Sequence, residues 1–325
     1  MFSIIIPLYN KEKYIAKAIQ SVLAQTFQEY ELIIIDDGST DNSYQIAKKT
    51  TDPTQARDAL RIPHSTLITQ ENSGVAITRN RGVELAQYDY IAFLDADDWW
   101  APTYLEEMKM LIKEFPDAAL YTSSYYSVKN NQNRPAKIGV PNDFIKGYFD
   151  YFKVYANSHW MPVWTGATIL RKDKYLEMNG FKPHLKLGED FDLWVRIALK
   201  YKVALLNKPL TYYNQDVEQA ARAIGKLHNP NTHMLWNLEY LEAEEKKNPD
   251  LKQMLDNLRT YGLFPYYLNK ETRELAKQEL AKVDWERQPK AVQKKYRHPI
   301  VWLKVQQKIM WFASRIKKKL YNVIA

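Results

Sequence analysis

The chain has 325 residues, 46% hydrophobic and 26% charged, which suits a globular protein of one large domain with an appendage or of two domains. It contains no cysteine, and this excludes disulfides, thiolate catalysis and zinc sites built on cysteine. Residues 290–325 hold ten of the 46 Lys and Arg and no Asp or Glu, so residues 1–289 carry 36 basic against 38 acidic residues. The positive net charge of +8 therefore belongs to the C-terminal tail.

Strands and helices are predicted to alternate through the first 117 residues. Short β-branched runs predict strands at 2–8, 31–35, 65–69 and 90–94. Amphipathic spacing and cap residues predict helices at 11–25, 39–49, 74–86 and 102–115, with a surface loop at 51–64. This alternation is typical of a doubly wound α/β fold with a mainly parallel sheet.

The predicted elements are less regular after residue 118. Strands are predicted at 118–128, 165–170, 202–206 and 210–213. Helices are predicted at 143–155, 172–179 and 189–200, and a polar loop at 130–141. From about residue 229 the pattern is helical throughout.

Two predicted strands end in clustered carboxylates: Asp36 and Asp37 follow one, and Asp95, Asp97 and Asp98 follow the other. Open α/β sheets bind ligands at the carboxyl ends of their strands, so several negative charges are expected to meet in one crevice. Carboxylates two residues apart favour one hard cation, Mg²⁺ or Mn²⁺, together with phosphate oxygens. The alternative is that these acids only cap the turns that follow the strands.

Some residues of this region could have a structural role in place of a ligand-binding one. Asp98 is expected to cap the helix after Pro102 or to orient its neighbours. In the first cluster, one Asp could accept hydrogen bonds from a uracil imide or from ribose hydroxyls, while the other caps the turn into the helix that starts near Thr40. Tyr9 could present its ring to a base, or it could be a core or surface residue.

The motifs of residues 2–214 follow one another in an order that resembles glycosyltransferase family 2. They are Ser3-Ile-Ile-Ile-Pro-Leu-Tyr-Asn, Gln25-Thr-Phe, Ile35-Asp-Asp-Gly-Ser-Thr-Asp, Asn72-Ser-Gly-Val-Ala, Arg79-Asn-Arg-Gly, Phe93-Leu-Asp-Ala-Asp-Asp, Trp164-Thr-Gly-Ala, Gly180-Phe and Gly188-Glu-Asp-Phe-Asp-Leu-Trp-Val-Arg. The resemblance implies the GT-A fold, which binds nucleotide sugars, and transfer with inversion. It implies a catalytic domain at 1–225, with a nucleotide-binding half at 1–117 and an acceptor half at 118–225, and a helical extension at 226–325.

The resemblance also assigns residues to the nucleotide sugar. Asp97 is the implied metal ligand, Asp37 is expected to read the uracil, and Asp95 is expected beside the ribose or the metal's water molecules. Arg79 is expected to approach the nucleotide or diphosphate, with an exposed surface ion pair as its alternative. The remaining residues implied for the nucleotide sugar are Pro7, Tyr9, Asn10, Glu12 and Ala96.

For the chemistry, the resemblance implies that an acidic pair supplies the general base. Asp190 is the expected base and Glu189 its catalytic support, whereas Asp192 is a weaker candidate. A helix N-terminus stabilises a carboxylate anion, so we expect Asp190 to stay deprotonated; charge complementarity with the helix alone would also place acids there. The expected acceptor or donor pocket is Trp164, Thr165 and Gly166. Three histidines near this region are left unassigned: His159, His184 and His228.

The implied activity is metal-dependent transfer of a sugar from a nucleotide sugar, with UDP favoured, to a hydroxyl of a saccharide or lipid-linked acceptor in bacterial cell-surface polysaccharide synthesis. The alternative is a protein that binds a nucleotide sugar without catalysis. A processive synthase would carry a Gln-x-x-Arg-Trp motif and membrane spans, and the chain has no Arg-Trp pair. A nucleotidyltransferase would need a basic, Gly-rich loop after the first strand, which 10–13 is not.

The basic tail predicts contact with a membrane surface. At helical spacing, residues 298–325 place one apolar stripe beside two tryptophans, and Lys and Arg lie largely off that stripe. The stripe consists of Val301, Val305, Ile309, Phe312 and Ile316. The alternative is a helix packed on the core, and no nucleic-acid-binding motif accompanies the charge. With a strand directly after Met1 and no apolar run of about 18 residues, we expect a cytoplasmic protein, peripheral on the inner face of the membrane.

Overall fold

The structure is a computed structural model that describes residues 1–52, 65–158, 161–218, 226–303 and 305. The chain divides into two compact units, Met1–Met234 and Leu235–Ala325. Most of the loop predicted at 51–64, and His159, lie outside the described residues. So does most of the predicted amphipathic tail.

Within the described part of the first unit, ten strands form one sheet. They are β1 Phe2–Leu8, β2 Tyr30–Asp36, β3 Ser65–Thr69, β4 Tyr90–Phe93, β5 Trp99–Trp100, β6 Ala118–Lys129, β7 Gln132–Pro135, β8 Lys146–Phe149, β9 Thr168–Arg171 and β10 Lys202–Asn214. The strand order is β3-β2-β1-β4-β9-β6-β10-β5, with β7 paired to β6 and β8 paired to β10. The pairs among β1 to β4 are parallel, and β9 runs antiparallel to both of its neighbours.

Helices cover the sheet of this unit. They are α1 Ile15–Leu23, α2 Ser43–Thr50, α3 Val75–Leu85, α4 Tyr104–Glu114, α5 Tyr151–Ala156, α6 Lys172–Glu177 and α7 Glu189–Lys200. Ile4, Ile5 and Ile6 of β1 are fully buried, as expected for a central strand with helices on both faces. Helix α1 buries the stripe Ile15, Ala18, Ile19 and Val22. The predicted α/β fold class is confirmed.

Four predictions beyond residue 130 differ from the structure. The polar loop at 130–141 contains strand β7, which returns along β6 as a hairpin. The helix predicted at 143–155 is strand β8 followed by α5, because Asp150 accepts a hydrogen bond from Lys153 N and starts the helix there. The strands predicted at 202–206 and 210–213 are the single strand β10, whose register against β6 shifts around Pro209 because proline has no N–H to donate. The strand predicted at 165–170 starts later, at Thr168, after a 3₁₀ turn.

The second unit is helical, as predicted. Its helices are α8 Glu242–Lys247, α9 Pro249–Gly262, α10 Phe264–Leu268, α11 Arg273–Leu280 and α12 Lys290–Arg297. Asn248 caps α9 by accepting hydrogen bonds from two backbone N–H groups, and Arg259 of α9 is buried in contact with Glu245 and Asp256. Within the described ranges, none of the helices is both long enough and apolar enough to cross a bilayer.

Helix α3 lies against β1 at Gly82. A Cβ at this position would lie 2.4 Å from Cγ2 of Ile5, so Gly82→Ala requires the helix or the strand to move. We expect the substitution to lower the free energy of unfolding by about 1–3 kcal/mol, the usual cost of overpacking. Urea unfolding would measure this, and the cost should shrink in an Ile5→Ala background. Glu84→Ala, an exposed change on the same helix, serves as the control; an equal loss there would contradict the account.

Candidate functional site

The candidate site lies where β1, β2 and β4 end. In the sheet register Leu8 faces Asp36, and the N–H of Asp37 donates to the carbonyl of Leu8 at 2.8 Å. Strand β4 pairs with β1 on the other side, and the segment from Asp95 to Asp98 follows it directly. The sheet therefore brings the two acidic clusters to the same edge, as predicted from the strand order.

A buried arginine links this edge to the start of α7. Arg79 of α3 is 4% exposed. Its Nη2 lies 2.8 Å from Oδ1 of Asp95, and its Nη1 lies 3.0 Å from Oε1 of Glu189. Burial alone would lower the pKa of Arg79, but Asp95 and Glu189 raise it above its ordinary value, so the guanidinium stays charged. The exposed surface ion pair considered for Arg79 is therefore wrong.

The acidic pair opens α7 as predicted. Gly188 precedes it with φ of 82°, a left-handed conformation that favours glycine. The two carboxylates have different partners: Glu189 pairs with Arg79, whereas Asp190 accepts hydrogen bonds from Thr165 Oγ1 at 2.9 Å and from Phe191 N at 2.8 Å. Glu189 and Asp190 are thus adjacent but held by separate groups.

Burial shifts both carboxyl groups toward the protonated form. Burial and the neighbouring Asp190 outweigh Arg79 and raise the pKa of Glu189 to about 7. Burial also raises the pKa of Asp190, despite Arg79 and the Thr165 hydroxyl. This is the opposite of the effect expected from the helix N-terminus alone, because desolvation of the charged form is the larger contribution. Asp192 is fully buried and paired with Lys182 and Arg196.

Asp97 is in contact with a residue that the sequence analysis did not single out. Its Oδ2 lies 2.6 Å from Nζ of Lys11, and the two side chains are 19% and 15% exposed. Burial raises the pKa of Asp97, with Lys11 opposing the shift and Asp95 adding to it. Lys11 lies between Asn10 and Glu12 of the first motif, and this position is the sequence signal that could have identified it as a site residue.

Asp98 does not have the first of its two predicted roles, the helix cap. It does not cap α4, whose N-terminal residue Thr103 has no side-chain cap. Its Oδ1 accepts a hydrogen bond from the N–H of Asn214 at 2.8 Å, because the pairing of β5 with β10 carries Asp98 to the end of β10. Burial, with the charges of Asp97 and Asp95, raises its pKa well above the ordinary value.

Asp37 holds the segment that starts α3. Its Oδ1 accepts hydrogen bonds from Gln70 Nε2 at 2.8 Å and Ser73 N at 2.9 Å, and its Oδ2 accepts from Gly74 N at 2.9 Å. Burial would raise the pKa of Asp37, but these donors together lower it. Asp37 therefore holds the segment before α3, and the N–H of Thr40 donates to Asn10 instead. Arg79 lies five residues after Gly74, about 7 Å along α3.

Polar residues of the first motif hold the turn before α2. Asn10, at φ of 50°, accepts a hydrogen bond from Thr40 N at 2.8 Å through Oδ1. Glu12 Oε2 accepts from Asn42 N at 3.0 Å. Tyr9 is 46% exposed beside them, and Pro7 is half-buried in β1. This turn occupies the first residues of the helix predicted at 39–49, so the observed helix α2 starts later, at Ser43.

The 3₁₀ turn Thr165–Ala167 forms hydrogen bonds both with β5 and with the start of α7. The carbonyl of Gly166 accepts from Trp100 Nε1 at 2.7 Å, and the Thr165 hydroxyl donates to Asp190. Trp164 is 9% exposed and its ring lies 4.1 Å from that of Tyr213. This turn therefore supports Asp190, whereas Arg79 holds Glu189.

The donor set of this edge fits a divalent cation held by one carboxylate. In the part of the chain that the structure describes, no three His, Cys, Asp or Glu side chains converge as a metal site. A hard cation commonly takes one or two protein carboxylates and completes its shell with phosphate oxygens and water. Asp97 is partly exposed and meets that requirement.

The raised pKa of Glu189 predicts a stability effect. Its folded pKa, about 7, exceeds its ordinary 4.5, so the folded state binds more protons and stability falls as pH rises through this window. Glu189→Gln should therefore raise the free energy of unfolding at pH 8 by about 1–3 kcal/mol. The gain should shrink as pH falls and vanish near pH 4, below the ordinary pKa, where Glu189 is protonated in both the folded and the unfolded state. Thermal unfolding at both pH values measures this, with exposed Glu71→Gln as the control; a loss at pH 8 would contradict it.

Comparison with known proteins identifies the family. The family model for glycosyl transferase family 2 matches residues 3–176, more than half of the chain. The glycosyltransferase GlyA of Streptococcus pneumoniae serotype 4 is 30% identical over 219 residues, which are 65% of this chain and 30% of that protein. The putative colanic acid biosynthesis glycosyl transferase WcaA of Escherichia coli K12 is 28% identical over 208 residues, 62% of this chain and 67% of that protein. The chain thus spans less than a third of GlyA.

A solved structure supports the same fold. Residues 1–349 of S. aureus TarS in complex with UDP-GlcNAc match with a TM-score of 0.70 at 20% identity, over 90% of this chain and 82% of that one. The likeness confirms the predicted GT-A fold. Because the family model also covers more than half of the sequence, the chain belongs to glycosyltransferase family 2.

Proposed function

We propose that this protein is a metal-dependent, inverting glycosyltransferase that moves a sugar from a UDP-sugar to a hydroxyl of a saccharide or lipid-linked acceptor. The observation that carries the proposal is the buried Arg79, which joins Asp95 of the Asp-Ala-Asp motif to Glu189 of the acidic pair. The two motifs, 94 positions apart in the sequence, thereby belong to one site. The name of WcaA, a putative colanic acid enzyme, supports a place in bacterial cell-surface polysaccharide synthesis.

The nucleotide is proposed to bind at the ends of β1 and β2. Tyr9 is exposed there and can offer its ring to the base. Asp37 would read the uracil through the lone pair of Oδ2 that the N–H of Gly74 leaves open. UDP is favoured because TarS, which has this fold, was solved with UDP and with UDP-GlcNAc. The remaining residues proposed for the nucleotide sugar are Pro7, Asn10, Glu12, Asp95 and Ala96.

Asp97 is the proposed ligand of Mn²⁺ or Mg²⁺. A bound cation would neutralise the negative charge that grows on the departing diphosphate. The chain's own contribution is to hold the Asp97 carboxylate in place, partly exposed, beside the nucleotide edge of the sheet. Arg79 remains with Asp95 and Glu189, so its proposed role changes from a direct diphosphate contact to positioning.

Asp190 is the proposed general base. The acceptor oxygen forms its bond to the anomeric carbon as the bond from that carbon to the diphosphate oxygen breaks on the opposite face, which inverts the configuration. Asp190 takes the hydroxyl proton as attack begins. Its raised pKa makes it a stronger base than an ordinary carboxylate. Thr165 and Phe191 N orient it, and Glu189 supports it through Arg79. Trp164 and Gly166 are proposed to border the acceptor or donor sugar.

A nucleotide-sugar-binding protein without catalysis is the competing proposal. A binding protein requires the nucleotide-binding residues but has no use for Asp190, a half-buried carboxylate with a raised pKa and two orienting hydrogen bonds. Maintaining such a group costs stability, which favours a role in proton transfer.

Two substitutions separate binding from chemistry. We expect Asp97→Ala and Asp190→Asn each to reduce transfer at least about 100-fold, on the scale of losing a general base or a charge stabiliser. Only Asp97→Ala should greatly weaken metal-dependent UDP binding. A thermal-shift panel of nucleotide sugars with and without Mn²⁺ selects the donor, and release of UDP to water as acceptor then measures turnover. Exposed Asp173→Asn is the control. Near-normal turnover of Asp190→Asn would overturn the assignment of the base.

The C-terminal segment is proposed to contact an anionic membrane. In its described part, Val301 and Trp302 are 75% and 42% exposed, next to the basic helix α12. Residues 306–325 add further Lys and Arg and no acid. An exposed Trp and aliphatic residues beside clustered positive charge are typical of interfacial binding. Such contact would bring the enzyme to a lipid-linked acceptor.

Replacing Lys317, Lys318 and Lys319 by Gln should weaken binding to vesicles that contain anionic lipid on the order of 100-fold, because each cation near the surface contributes about 1 kcal/mol. Co-sedimentation measures this, with neutral vesicles as the control. The charge change is preferable to truncation after residue 289, since Tyr296 donates a hydrogen bond to the Thr260 carbonyl at 2.7 Å. Equal pelleting of variant and wild type would end the membrane proposal.

A further inference from the structure

Lys11 is held so that its ammonium reaches Asp97. Its backbone N–H donates to Ser43 Oγ at 2.7 Å, and its carbonyl accepts from Tyr14 N at 2.9 Å and Ile15 N at 3.0 Å. The residue before it, Asn10, adopts a left-handed conformation with φ of 50°. The backbone is therefore fixed on both sides, and the remaining freedom of Lys11 lies in its side chain.

The ammonium compensates a crowded negative segment. Asp95, Asp97 and Asp98 lie within four residues, so one short segment carries three carboxyl groups. Arg79 is engaged by Asp95 and Glu189 on the other side. Contact with Oδ2 of Asp97 at 2.6 Å gives that carboxylate a cation of its own.

The ion pair between Lys11 and Asp97 has properties that make it easy to open. Both side chains are partly exposed, so water and ions reach them. An ammonium is a strongly hydrated point charge on a flexible stem, and it contacts Asp97 through one oxygen and not as a bidentate fork. Such a pair is easier to open than a buried bidentate pair of the kind Arg259 forms with Glu245.

We propose that Lys11 is an exchangeable internal counter-ion of Asp97, which competes with a divalent cation for this carboxylate and pairs with the diphosphate once displaced. The inference rests on the proposed nucleotide-sugar site and adds to it a residue with two opposing effects. In the free protein Lys11 weakens cation binding. In the nucleotide complex it supplies positive charge near the phosphates.

Binding of Mn²⁺ without nucleotide tests the competition. Electron paramagnetic resonance of free Mn²⁺ should show that Lys11→Met binds the ion about tenfold more tightly than wild type, because the competing charge is gone. Lys11→Arg retains the charge and should stay close to wild type. Lys13→Met is the matched control, because Lys13 lies two residues after Lys11 and forms an exposed ion pair with Glu218. Unchanged or weaker Mn²⁺ binding by Lys11→Met would overturn the proposal.

Binding of UDP in EDTA tests the second effect. Lys11→Met should bind UDP at least about fivefold more weakly than wild type without metal, and this loss should shrink with saturating Mn²⁺. An unchanged affinity in EDTA would overturn the diphosphate contact. If Lys11→Met does not fold, Lys11→Gln retains a hydrogen-bond donor without charge and should move both affinities in the same directions. If neither wild type nor variants bind UDP, the proposed function fails, whereas the Mn²⁺ titration still decides the competition.

Discussion

The buried guanidinium of Arg79 is the interaction on which the site depends. It lies between a carboxylate that follows β4 and a carboxylate that opens α7, and both contacts are 3.0 Å or shorter. One cation does not balance Asp95, Glu189 and the adjacent Asp190, so burial raises the pKa of the acidic pair. The fold thus tolerates a local excess of negative charge at the edge where open α/β sheets bind ligands. That excess is useful if the site must attract a cation and accept a proton.

A second cation serves the other side of this edge. Lys11 pairs with Asp97 near the surface, whereas Arg79 pairs with Asp95 and Glu189 in the interior. The difference in exposure separates their roles: the arginine is a fixed part of the framework, whereas in our proposal an incoming cation replaces the lysine, which then pairs with the diphosphate. Asp98 holds the end of β10 through the N–H of Asn214, and Thr165 orients Asp190. These five acids therefore have four different sets of partners, because Asp95 and Glu189 share Arg79.

The sequence predicts the elements whose signals are local. Strands β1, β2 and β4 are runs of buried Ile, Phe and Leu, and α7 was predicted at its observed bounds, Glu189–Lys200. Strand β8 was missed because pairing with β10, far along the chain, decides it. The ion pairs of Lys11 and Arg79 bridge 86 and 110 positions and leave no periodic trace. The motifs locate the candidate site, whereas the partners of each charge follow only from the packing.

A double-substitution cycle on Asp95 and Glu189 tests most directly whether Arg79 holds the two motifs together. At pH 8, Glu189→Gln should raise the melting temperature in the wild-type background, where Asp95 still pairs with Arg79. In the Asp95→Asn background the same change removes the second ionic partner of a buried guanidinium, so it should lower the melting temperature. This reversal of sign is the result the account predicts. Effects that add to within about 0.5 kcal/mol would show that the two carboxylates do not share one arginine.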